Sequence, residues 1–502
     1  MINLLLILSL VWSVLSVNQQ HSTPPNILLV LSDDQDTELH GLHPLHQTMQ
    51  LFSMYGTQFS NAFTSTPICC PSRASLLTGQ YAHNHMTFNN SLTGGCNGQL
   101  WREKLEPRAL PALLQKHGYQ TFFAGKYLNQ YKGDKVPPGW HEFHGLHGNS
   151  RYYNYTLREN TKNVSYTDTY LTDLLSERAA AFFRNTAQKE RQKPFFAMIS
   201  PPAAHEPFTP APRHAGSFAH VLALRTPSFN APVTDKHWLV RSAESLSNTT
   251  ISTIDKYFQM RWESLLSVDE MMTNLVAVLN ETQYLRNTYI IYTSDNGYHL
   301  GQFAQPFDKR QPYETDIKVP LLILGPGVPA SVKLHIPVSL LDLAPTILEW
   351  AGLSVPDYID GRSFKDDLLR VNVNVQNMNN TLQPYHQRTL LIEYWGEGND
   401  DTYNPLCPGQ RSDHLAQCTL VAECHCQDSC NNTYTCVRDF RYNLDRIYCE
   451  FQDFENFVEA YDLARDPYQL HNIGFDLLSI ERAMYGILLK NLTKCASKAC
   501  HV

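Results

Sequence analysis

The chain has 502 residues, enough for about two or three domains, and 43% of them are hydrophobic, an ordinary share for a globular protein. Its formal net charge of −8 is small for this length, and no basic stripe indicates nucleic acid or an acidic membrane surface as a partner. An anionic substrate would therefore have to be bound by a local basic pocket.

The chain begins with a leucine-rich run from Met1 to about Val17, and polar residues follow it. This run is too short and too close to the terminus for a membrane span, so residues 1–17 are predicted to be a signal peptide, with cleavage after Ser16. No later stretch reaches the ~20 apolar residues of a transmembrane helix. We therefore expect a soluble protein of the secretory pathway.

Two further features agree with export. The sequence has 12 Cys residues, most of them late in the chain, which suits an oxidising compartment. It also has several Asn-x-Ser/Thr sequons, which together indicate a glycoprotein. The sequons begin at Asn89, Asn154, Asn163, Asn248, Asn280, Asn379, Asn431 and Asn491.

Apolar runs predict buried strands at 26–31, 118–126, 194–200, 287–293 and 319–324. Helices are predicted at 110–117, 172–183, 262–279 and 342–350. The alternation indicates an α/β protein with a largely parallel sheet covered on both faces. Ligands of such sheets bind at the carboxyl ends of the strands. The polar residues at these ends, which should converge on one crevice, are Asp33, Asp34, Lys126, His205, Asp295 and Asn296.

The stretch from Pro67 to Gly79 predicts a turn that leads into a short helix. Pro71 suits the helix entrance because it fixes φ and needs no backbone partner there. Gly79 can end the helix in a left-handed conformation. The first turn then offers free N–H groups and a positive dipole end to an anion, with Arg73 as a fixed charge beside it. Cys69 would lie at the mouth of this anion site.

The string Cys-x-Pro-Ser-Arg, followed by Ala-Ser-x-Leu-Thr-Gly, closely resembles the signature of the sulfatase family, and the stretch at 118–126 is similar to the family's second signature. The resemblance covers nearly the whole chain after residue 17. It implies an alkaline-phosphatase-like fold with a large, mostly parallel central sheet flanked by helices. It also implies that a formylglycine-generating enzyme oxidises Cys69 to formylglycine, since Cys70 occupies a variable position.

The residues at two strand ends indicate a metal site. Asp33, Asp34, Asp295 and Asn296 offer only hard oxygen ligands, which suits Ca²⁺ or Mg²⁺ and argues against zinc. The resemblance implies that these four residues and the modified Cys69 together hold one Ca²⁺.

The resemblance also implies catalytic roles for basic residues. Lys126 and Lys309 would contact the sulfate group, and Arg73 would steady the modified residue. His205 would protonate the leaving alcohol.

One position departs from the family pattern. Many sulfatases have a His two residues after the Lys of the second signature, but this chain has Leu128 there. The group that takes the proton of the nucleophilic hydrate is therefore open. Asp295 is one candidate, and His299 is a second polar candidate that is also expected to line the substrate pocket.

The C-terminal part differs in composition from the rest. A polar, Asn-rich stretch at 371–380 indicates a boundary between a catalytic domain at 24–370 and a smaller Cys-rich α+β subdomain at 385–502. Export to an oxidising compartment favours disulfides over a zinc cluster at Cys424–Cys426.

The number of Cys residues also constrains their pairing. If Cys69 is modified, an odd number of Cys residues remains, and we expect Cys70 to be unpaired. Cys495 and Cys500 are close enough in sequence to close a small terminal loop.

Further segments resemble the sulfatases that remove 6-O-sulfate from N-acetylglucosamine in heparan and keratan sulfate, in the lysosome. These segments are 81–85, 125–129, 294–299, 308–311 and 396–398. Extracellular endosulfatases share several of them but carry a long basic insertion that grips the polymer, and this chain has none. We therefore expect an enzyme that acts on glycosaminoglycan chain ends in the lysosome, with secretion as the alternative.

Substrate selection would come from loops over the crevice, where residues 236–238, His299 and residues 393–394 are candidates for sugar contacts. Two other functions stay open. A phosphohydrolase of the same fold is one, although Cys69 and the all-oxygen ligand set argue against it. A non-catalytic glycan-binding relative is the other, although the intact signature argues against it.

Overall fold

The computed structural model of the chain describes residues 23–370, 387–407, 411–419 and 425–501. The predicted signal peptide at 1–17, the sequon at Asn379 and the predicted domain boundary lie outside these ranges, so the domain limits stay predictions. Within the described ranges, no helix combines the length and the apolar composition that crossing a membrane would require.

The described strands are β1 (Asn26–Ser32), β2 (Thr57–Phe63), β3 (Gln120–Lys126), β4 (Glu142–Leu146), β5 (Tyr155–Glu159), β6 (Lys162–Tyr166), β7 (Phe195–Ser200), β8 (Thr288–Ser294), β9 (Leu321–Leu324), β10 (Val332–Ser339), β11 (Thr389–Tyr394), β12 (Ala416–Thr419), β13 (His425–Asp428), β14 (Tyr434–Asp439), β15 (Arg446–Phe451) and β16 (Val458–Asp462). The described α-helices are α1 (His46–Tyr55), α2 (Cys69–Thr78), α3 (Ala82–His85), α4 (Leu110–Lys116), α5 (Leu171–Lys189), α6 (Trp238–Arg241), α7 (Asn248–Glu281), α8 (Glu314–Ile317), α9 (Leu343–Trp350), α10 (Lys365–Leu369) and α11 (Ser479–Leu492).

One large sheet organises the first part of the chain. Ten strands of the described residues form it, in the order β10-β2-β9-β8-β1-β7-β3-β4-β5-β6. The pairs β8–β1, β1–β7, β7–β3 and β3–β4 are parallel, whereas β9 is antiparallel to both of its neighbours. The prediction of a mostly parallel sheet is confirmed. The strands expected to carry the site residues, β8, β1, β7 and β3, are consecutive neighbours in it.

Helices cover both faces of this sheet because its central strands are apolar on both sides. In β1, Ile27, Leu29 and Leu31 pack into one core, and Leu28 and Val30 pack into the other. All five side chains are fully buried, and each contributes about 1.5–3 kcal/mol by leaving water. A continuous apolar run is what a strand covered on both faces requires.

The signature helix α2 starts at Cys69 and ends at Thr78, as the sequence predicts. Gly79 follows it in a left-handed conformation with φ 67°, and its N–H donates to the Ser75 carbonyl at 2.8 Å. A Cβ at this position would lie 2.8 Å from the side chain of Ile359. Both the φ angle and the available space therefore require glycine here.

Parts of the structure differ from the apolar pattern. Strands β5 and β6 form an antiparallel, partly exposed edge of the sheet, where the sequence predicted only loops, because neither strand has a continuous apolar run. The helix predicted at 262–279 is the second part of α7, which has 34 residues. The first turn of α7 is capped by the Ser247 side chain, which accepts from the Thr250 N–H.

The C-terminal part is smaller. Strands β11, β14, β15 and β16 form an antiparallel sheet, and α11 packs on it. An apolar cluster joins this sheet to the first part of the chain, in which Phe63, Ile68 and Tyr313 meet Ile392 and Tyr434. The two parts therefore share a core and do not pack only through polar contacts.

The disulfides correct one expectation. The pairs formed between described residues are Cys70–Cys96, Cys407–Cys426, Cys436–Cys449 and Cys495–Cys500. The last pair closes the terminal loop as predicted, but the expectation that Cys70 is unpaired is wrong. Cys70 follows Cys69 on α2 and turns into the apolar core, where it meets Cys96. Among the described residues, Cys69 and Cys430 have free thiols.

Two histidines, His83, which is half-buried, and His299, which is buried, connect the two parts of the chain. His83 Nδ1 lies 3.0 Å from Glu393 Oε1, and its Nε2 lies 3.0 Å from the Cys495 carbonyl oxygen. Burial lowers the pKa of His83, but its contacts with Glu393 outweigh burial and raise the pKa above its ordinary value. Burial also lowers the pKa of His299, and Asp316 raises it by more.

We expect the His83 contacts to stabilise the chain at acidic pH. The unfolded pKa of His is about 6.5, and the folded value is raised, so the stabilisation is fully present below about pH 6.5 and is lost as the pH rises through the folded pKa. His83→Gln should therefore flatten the fall in Tm between about pH 6.5 and 8.5. Calorimetric melting across this range measures it. His335→Gln is the control, because the pKa of His335 is lowered, and an unchanged slope in His83→Gln would contradict the prediction.

Candidate active site

The neighbouring ends of β1 and β8 bring three carboxylates together. Ser32 pairs with Ser294 in the register of these strands, so Asp33 and Asp34 leave β1 beside Asp295, which follows β8. All three Asp side chains are buried, and we call them the carboxylate cluster. Buried like charges are costly unless cations and hydrogen-bond donors surround them.

Asp34 is held by donors on both carboxylate oxygens. Asn296 Nδ2 donates to Oδ1 at 2.7 Å, and Lys309 Nζ donates to Oδ2 at 2.7 Å. The Asp34 backbone has φ 57°, and its N–H donates to Asp295 Oδ1 at 3.0 Å. Burial raises the pKa of Asp34, but Lys309 and other nearby cations lower it by more, so the carboxyl group is ionised.

Asp33 is held by residues from other strands and loops. Lys126, at the end of β3, donates from Nζ to Asp33 Oδ2 at 2.7 Å, and the Ser150 hydroxyl donates to the same oxygen. Arg73 Nη2 lies 3.4 Å from Oδ1. Burial raises the pKa of Asp33, but Lys126, His205 and Arg73 together lower it well below its ordinary value. A permanent negative charge therefore lies at this point of the site.

Cys69 directs its thiol at the carboxylate cluster. Its Sγ lies 3.7 Å from Asp33 Oδ1 and 3.8 Å from Asp34 Oδ1, and the side chain is fully buried. Burial raises the pKa of the thiol far above its ordinary value, although Lys126 and Lys309 act in the opposite direction. The unmodified thiol is therefore protonated and a poor nucleophile.

Arg73 ties the signature helix to three strands. Its Nε donates to Asp295 Oδ2 at 2.8 Å, and its Nη1 donates to the Lys126 carbonyl and the Ser200 hydroxyl, both at 2.7 Å. Burial raises the pKa of Asp295 to about 7, although Arg73 acts in the opposite direction. A cation beside Asp295 would lower this pKa.

The residues present fit a hard divalent cation. Asn296 Oδ1 is buried and has no hydrogen-bond partner within the described residues. Carboxylate and amide oxygens are the ligands that Ca²⁺ takes in proteins. Cys69 and His205 each place a ligand atom within 4.8 Å of Asp33 and Asp34 oxygens. The oxygen donors of the carboxylate cluster nevertheless favour Ca²⁺ over zinc.

His205 follows β7 and faces the carboxylate cluster. Its Nδ1 lies 2.6 Å from the Glu206 carbonyl oxygen, so Nδ1 carries the proton and Nε2 is turned to the site. Nε2 lies 3.7 Å from Asp34 Oδ2. Burial lowers the pKa of His205 to about 4, although Asp34 and Asp33 act in the opposite direction. An anionic ligand beside the ring would raise this pKa.

The structure brings most of the predicted site residues into one group. Its members are Asp33, Asp34, Cys69, Arg73, Lys126, His205, Asp295, Asn296 and Lys309. Leu128, which replaces the family's His, is fully buried in the apolar core, so it offers no group for proton transfer. Asp295 lies in the carboxylate cluster and is the candidate that the geometry favours for this role.

The predicted sugar-contacting residue Lys236 is enclosed by other parts of the protein. Lys236 is fully buried, and its ammonium group lies 4.1–4.6 Å from the ring centroids of Phe303, Tyr313 and Tyr461. It donates to the Tyr461 hydroxyl at 2.7 Å. This residue therefore connects the two parts of the chain, and a sugar contact by residues 236–238 stays a prediction.

The other predicted sugar-contacting residues also make hydrogen bonds with protein groups. They are His299, Glu393 and Tyr394. Both ring nitrogens of His299 have partners, since Nδ1 lies 3.0 Å from the Asp316 carboxylate and Nε2 lies 3.0 Å from Gln427 Oε1. Glu393 accepts from His83. The Tyr394 hydroxyl donates to Asp428 Oδ2 at 2.9 Å. Their roles in substrate binding also stay predictions.

Two serines that the sequence analysis did not single out contact the site. Ser200 holds Arg73, and Ser150 holds Asp33. Ser200 is the last residue of a predicted strand, and that position is a signal that could have identified it. Ser150 lies in a loop between β4 and β5, neither of which was predicted, so the sequence offered no signal for it.

Arg310 is a third residue of this kind. It has φ 97°, and its guanidinium donates to Asp308 and, at 3.0 Å, to Glu397 Oε2. Glu397 belongs to the C-terminal part of the chain, so Arg310 connects that part to the segment that carries Lys309. Adjacency to Lys309 is the signal that could have identified both Asp308 and Arg310.

Comparisons with known proteins agree with this site. The family model described as Sulfatase matches residues 25–353. The N-acetylglucosamine-6-sulfatase of Capra hircus is 44% identical over 95% of this chain and 85% of its own length. The N-acetylglucosamine-6-sulfatase of Homo sapiens is 43% identical over 95% of this chain and 86% of its own length.

A solved structure has the same fold. It shows a protein in complex with its substrate D-glucosamine-2-N,6-O-disulfate, and it covers 94% of this chain and 98% of its own chain, with a TM-score of 0.74 and 22% identity. The family match extends over more than half of the chain, and it includes every strand end that builds the site. This chain therefore belongs to the sulfatase family, whose members are sulfuric ester hydrolases.

Proposed function

We propose that the chain removes 6-O-sulfate from N-acetylglucosamine residues at the ends of heparan sulfate and keratan sulfate chains, in a reaction that depends on formylglycine and Ca²⁺. The observation that carries the proposal is the position of Cys69, whose buried thiol faces Asp33 and Asp34 within 3.8 Å. Similarity to N-acetylglucosamine-6-sulfatases over nearly the full chain supports the choice of sugar.

The side chains present divide the chemistry between them. Oxidation of Cys69 to formylglycine would supply an aldehyde whose hydrate is the nucleophile, and Ca²⁺ held by the carboxylate cluster and Asn296 would polarise a sulfate oxygen. Lys126 and Lys309, whose ammonium groups lie beside Asp33 and Asp34, would stabilise the charge that develops on the sulfate oxygens. His205 presents Nε2 for protonation of the leaving oxygen.

Sugar selection would rest on residues beside Lys309. Asp308 and Arg310 flank it in sequence, and their side chains form a buried or half-buried pair. Charged groups in this position can accept from and donate to the hydroxyls of the sugar that carries the sulfate. If Glu397 closes the pocket beside Lys309, there is no room for a further sugar on the non-reducing side, so an internal residue of the polymer would be excluded.

We expect sulfate release only from terminal residues. The test uses two defined oligosaccharides of equal length, with the 6-sulfate either on the non-reducing terminal glucosamine or on an internal one. We expect sulfate release from the terminal glucosamine to be at least about 100-fold faster than from the internal one. This ratio corresponds to roughly 2.7 kcal/mol of discrimination. Sulfate measured by ion chromatography gives both rates. Equal rates would indicate an endosulfatase, and activity only on sulfated galactosamine or uronate would reject the substrate.

We also propose that the chain is a glycoprotein of the lysosome, or is secreted. The sequons at Asn154, Asn163 and Asn248 have exposed Asn side chains, which a glycosylating enzyme could reach. Removal of N-glycans by an endoglycosidase should increase the electrophoretic mobility of the protein purified from cells. Unchanged mobility would contradict this proposal without affecting the catalytic one.

A further inference from the structure

Arg261 lies near the middle of α7, and only 2% of it is exposed. Its Nη2 donates to the Asp34 carbonyl at 2.7 Å and to Asp36 Oδ1 at 3.1 Å, and its Nη1 donates to the Ala204 carbonyl at 3.1 Å. One guanidinium therefore joins the segment that follows β1 to the segment that follows β7. The first segment carries two of the proposed metal ligands, and the second carries His205.

The backbone at this point needs such support. Asp34 has φ 57°, a left-handed conformation that costs a non-glycine residue roughly 1–2 kcal/mol. A conformation of this kind persists where surrounding contacts determine it. Arg261 binds the carbonyl of Asp34 itself, while Lys309 and Asn296 bind its carboxylate. The direction of the Asp34 side chain therefore depends on the contact made by Arg261.

The two segments also contact each other directly. The Asp33 N–H donates to the Ala203 carbonyl at 2.9 Å, and the Ala204 N–H donates to the Asp33 carbonyl at 2.6 Å. These two hydrogen bonds join the segments at Asp33, and Arg261 joins them again at the next residue, Asp34. Without Arg261, the Ala204 and Asp34 carbonyls lose their shared donor, and the position of His205 relative to Asp34 is less constrained.

An aromatic ring and a carboxylate enclose the guanidinium of Arg261. Its guanidinium lies 4.2 Å from the centroid of the Tyr298 ring. Lys309 Nζ lies 5.7 Å from the same centroid. Asp36 balances the charge of Arg261, and the second oxygen of Asp36 accepts from the Leu39 N–H at 2.8 Å. Arg261 is thus a buried cation whose charge is balanced within the protein.

We infer that Arg261 is a positioning residue for sulfate-ester hydrolysis, which fixes Asp34 and His205 relative to each other. The inference rests on the proposed function, because it assumes that Asp34 binds the metal and that His205 protonates the leaving group. The guanidinium reaches its three acceptors from two nitrogens held in one plane, and a Lys ammonium, with a single nitrogen, cannot reproduce this geometry.

The experiment compares Arg261→Met and Arg261→Lys with wild type and with a matched control. Asp269→Asn is the control because Asp269 is also buried on α7 and binds backbone groups, the Gln47 and Thr48 N–H groups at 2.9 and 2.7 Å, away from the site. The readouts are Tm, Ca²⁺ affinity by calorimetric titration of chelator-treated protein, and kcat and KM separately. The first two need no activity.

We expect Arg261→Met to lose about 10- to 100-fold in Ca²⁺ affinity and in kcat, with a smaller change in KM, as when a residue that orients a metal ligand is removed. Arg261→Lys should retain more of both than Arg261→Met. Asp269→Asn should lower Tm and leave both values within about twofold of wild type. If Arg261→Met is unstable, Arg261→Lys replaces it. The increase in Tm on Ca²⁺ addition, measured for each protein against its own metal-free form, then reports the change in Ca²⁺ affinity.

Arg261 variants with wild-type Ca²⁺ affinity and kcat would overturn the inference and leave the proposed function intact. A wild-type protein that neither binds Ca²⁺ nor releases sulfate would instead remove the proposed function, and the inference with it.

Discussion

Replacement of Cys69 by Ser is expected to leave the fold intact and to reduce turnover on the order of 10⁶-fold, the scale seen when a covalent nucleophile is removed. The Ser hydroxyl is smaller than the thiol and fits the same buried position beside Asp33. It has one oxygen, so a sulfate ester formed on it has no second hydroxyl whose deprotonation could expel the sulfate. Measurement of sulfate release under multiple-turnover conditions tests this result.

Cys70→Ser is the matched control for this change. It removes the disulfide to Cys96, which closes a loop of 26 residues, and should cost about 2–4 kcal/mol of stability. Turnover measured well below its Tm should stay close to that of wild type. Mass spectrometry of the peptide that contains Cys69 should find the aldehyde in wild type and in Cys70→Ser. An unmodified thiol in active enzyme, or near-normal turnover by Cys69→Ser, would refute the assignment.

The second large effect is expected at Asp295. Asp295→Ala should abolish both Ca²⁺ binding and activity, because it removes a ligand charge and the acceptor for Arg73 Nε and for the Asp34 N–H. It also removes one of the two carboxylates beside the buried Arg73 guanidinium, and the loss of one partner of a buried ion pair costs about 3–5 kcal/mol. Asp295→Asn keeps the shape of the side chain. Its metal affinity should still fall by more than the roughly 10- to 100-fold that is lost when a residue that only orients a metal ligand is replaced. Calorimetric titration and sulfate release measure the two losses.

Asp342→Asn separates this effect from lost stability. Asp342 is buried, and its carboxylate oxygens accept from Arg388 at 2.6 and 2.9 Å, far from the site in sequence and in contacts. This variant should melt at a lower temperature and keep its Ca²⁺ affinity. Stoichiometric zinc in purified active enzyme, or full activity without any metal, would contradict the proposed role of Asp295.

The strand ends of the site could be predicted because the sequence encodes them locally. Runs such as Ile27–Leu31 are apolar at every position, which few structures other than a doubly covered strand accommodate. The polar residue after each run then marks the carboxyl edge of the sheet. The parallel directions follow from the alternation with helices, which predicts that these polar residues meet at one edge. The order β8-β1-β7-β3, which makes Asp34 a neighbour of Asp295, was not predicted and is seen only in the structure.

Residues whose partners lie in the C-terminal part could not be placed in this way. Lys236 is a polar residue in a long loop, and nothing near it in sequence indicates that the Tyr461 ring and the Gln469 carbonyl enclose it. The pairing of Cys70 with Cys96 depends on the path of the loop that follows α3. Arg261 belongs to the same group, since two of its three acceptors are backbone carbonyls, which no sequence pattern identifies.

The complete burial of Cys69 sets a time limit during biosynthesis. Cys69 is fully buried beside Asp34, whose carboxylate binds Lys309, 275 residues further along the chain. Before the segment that carries Lys309 is synthesised, the site is incomplete, and a modifying enzyme could reach the thiol. The proposed oxidation would therefore act on the nascent or unfolded chain, and the active fraction of the product would depend on the relative rates of modification and folding.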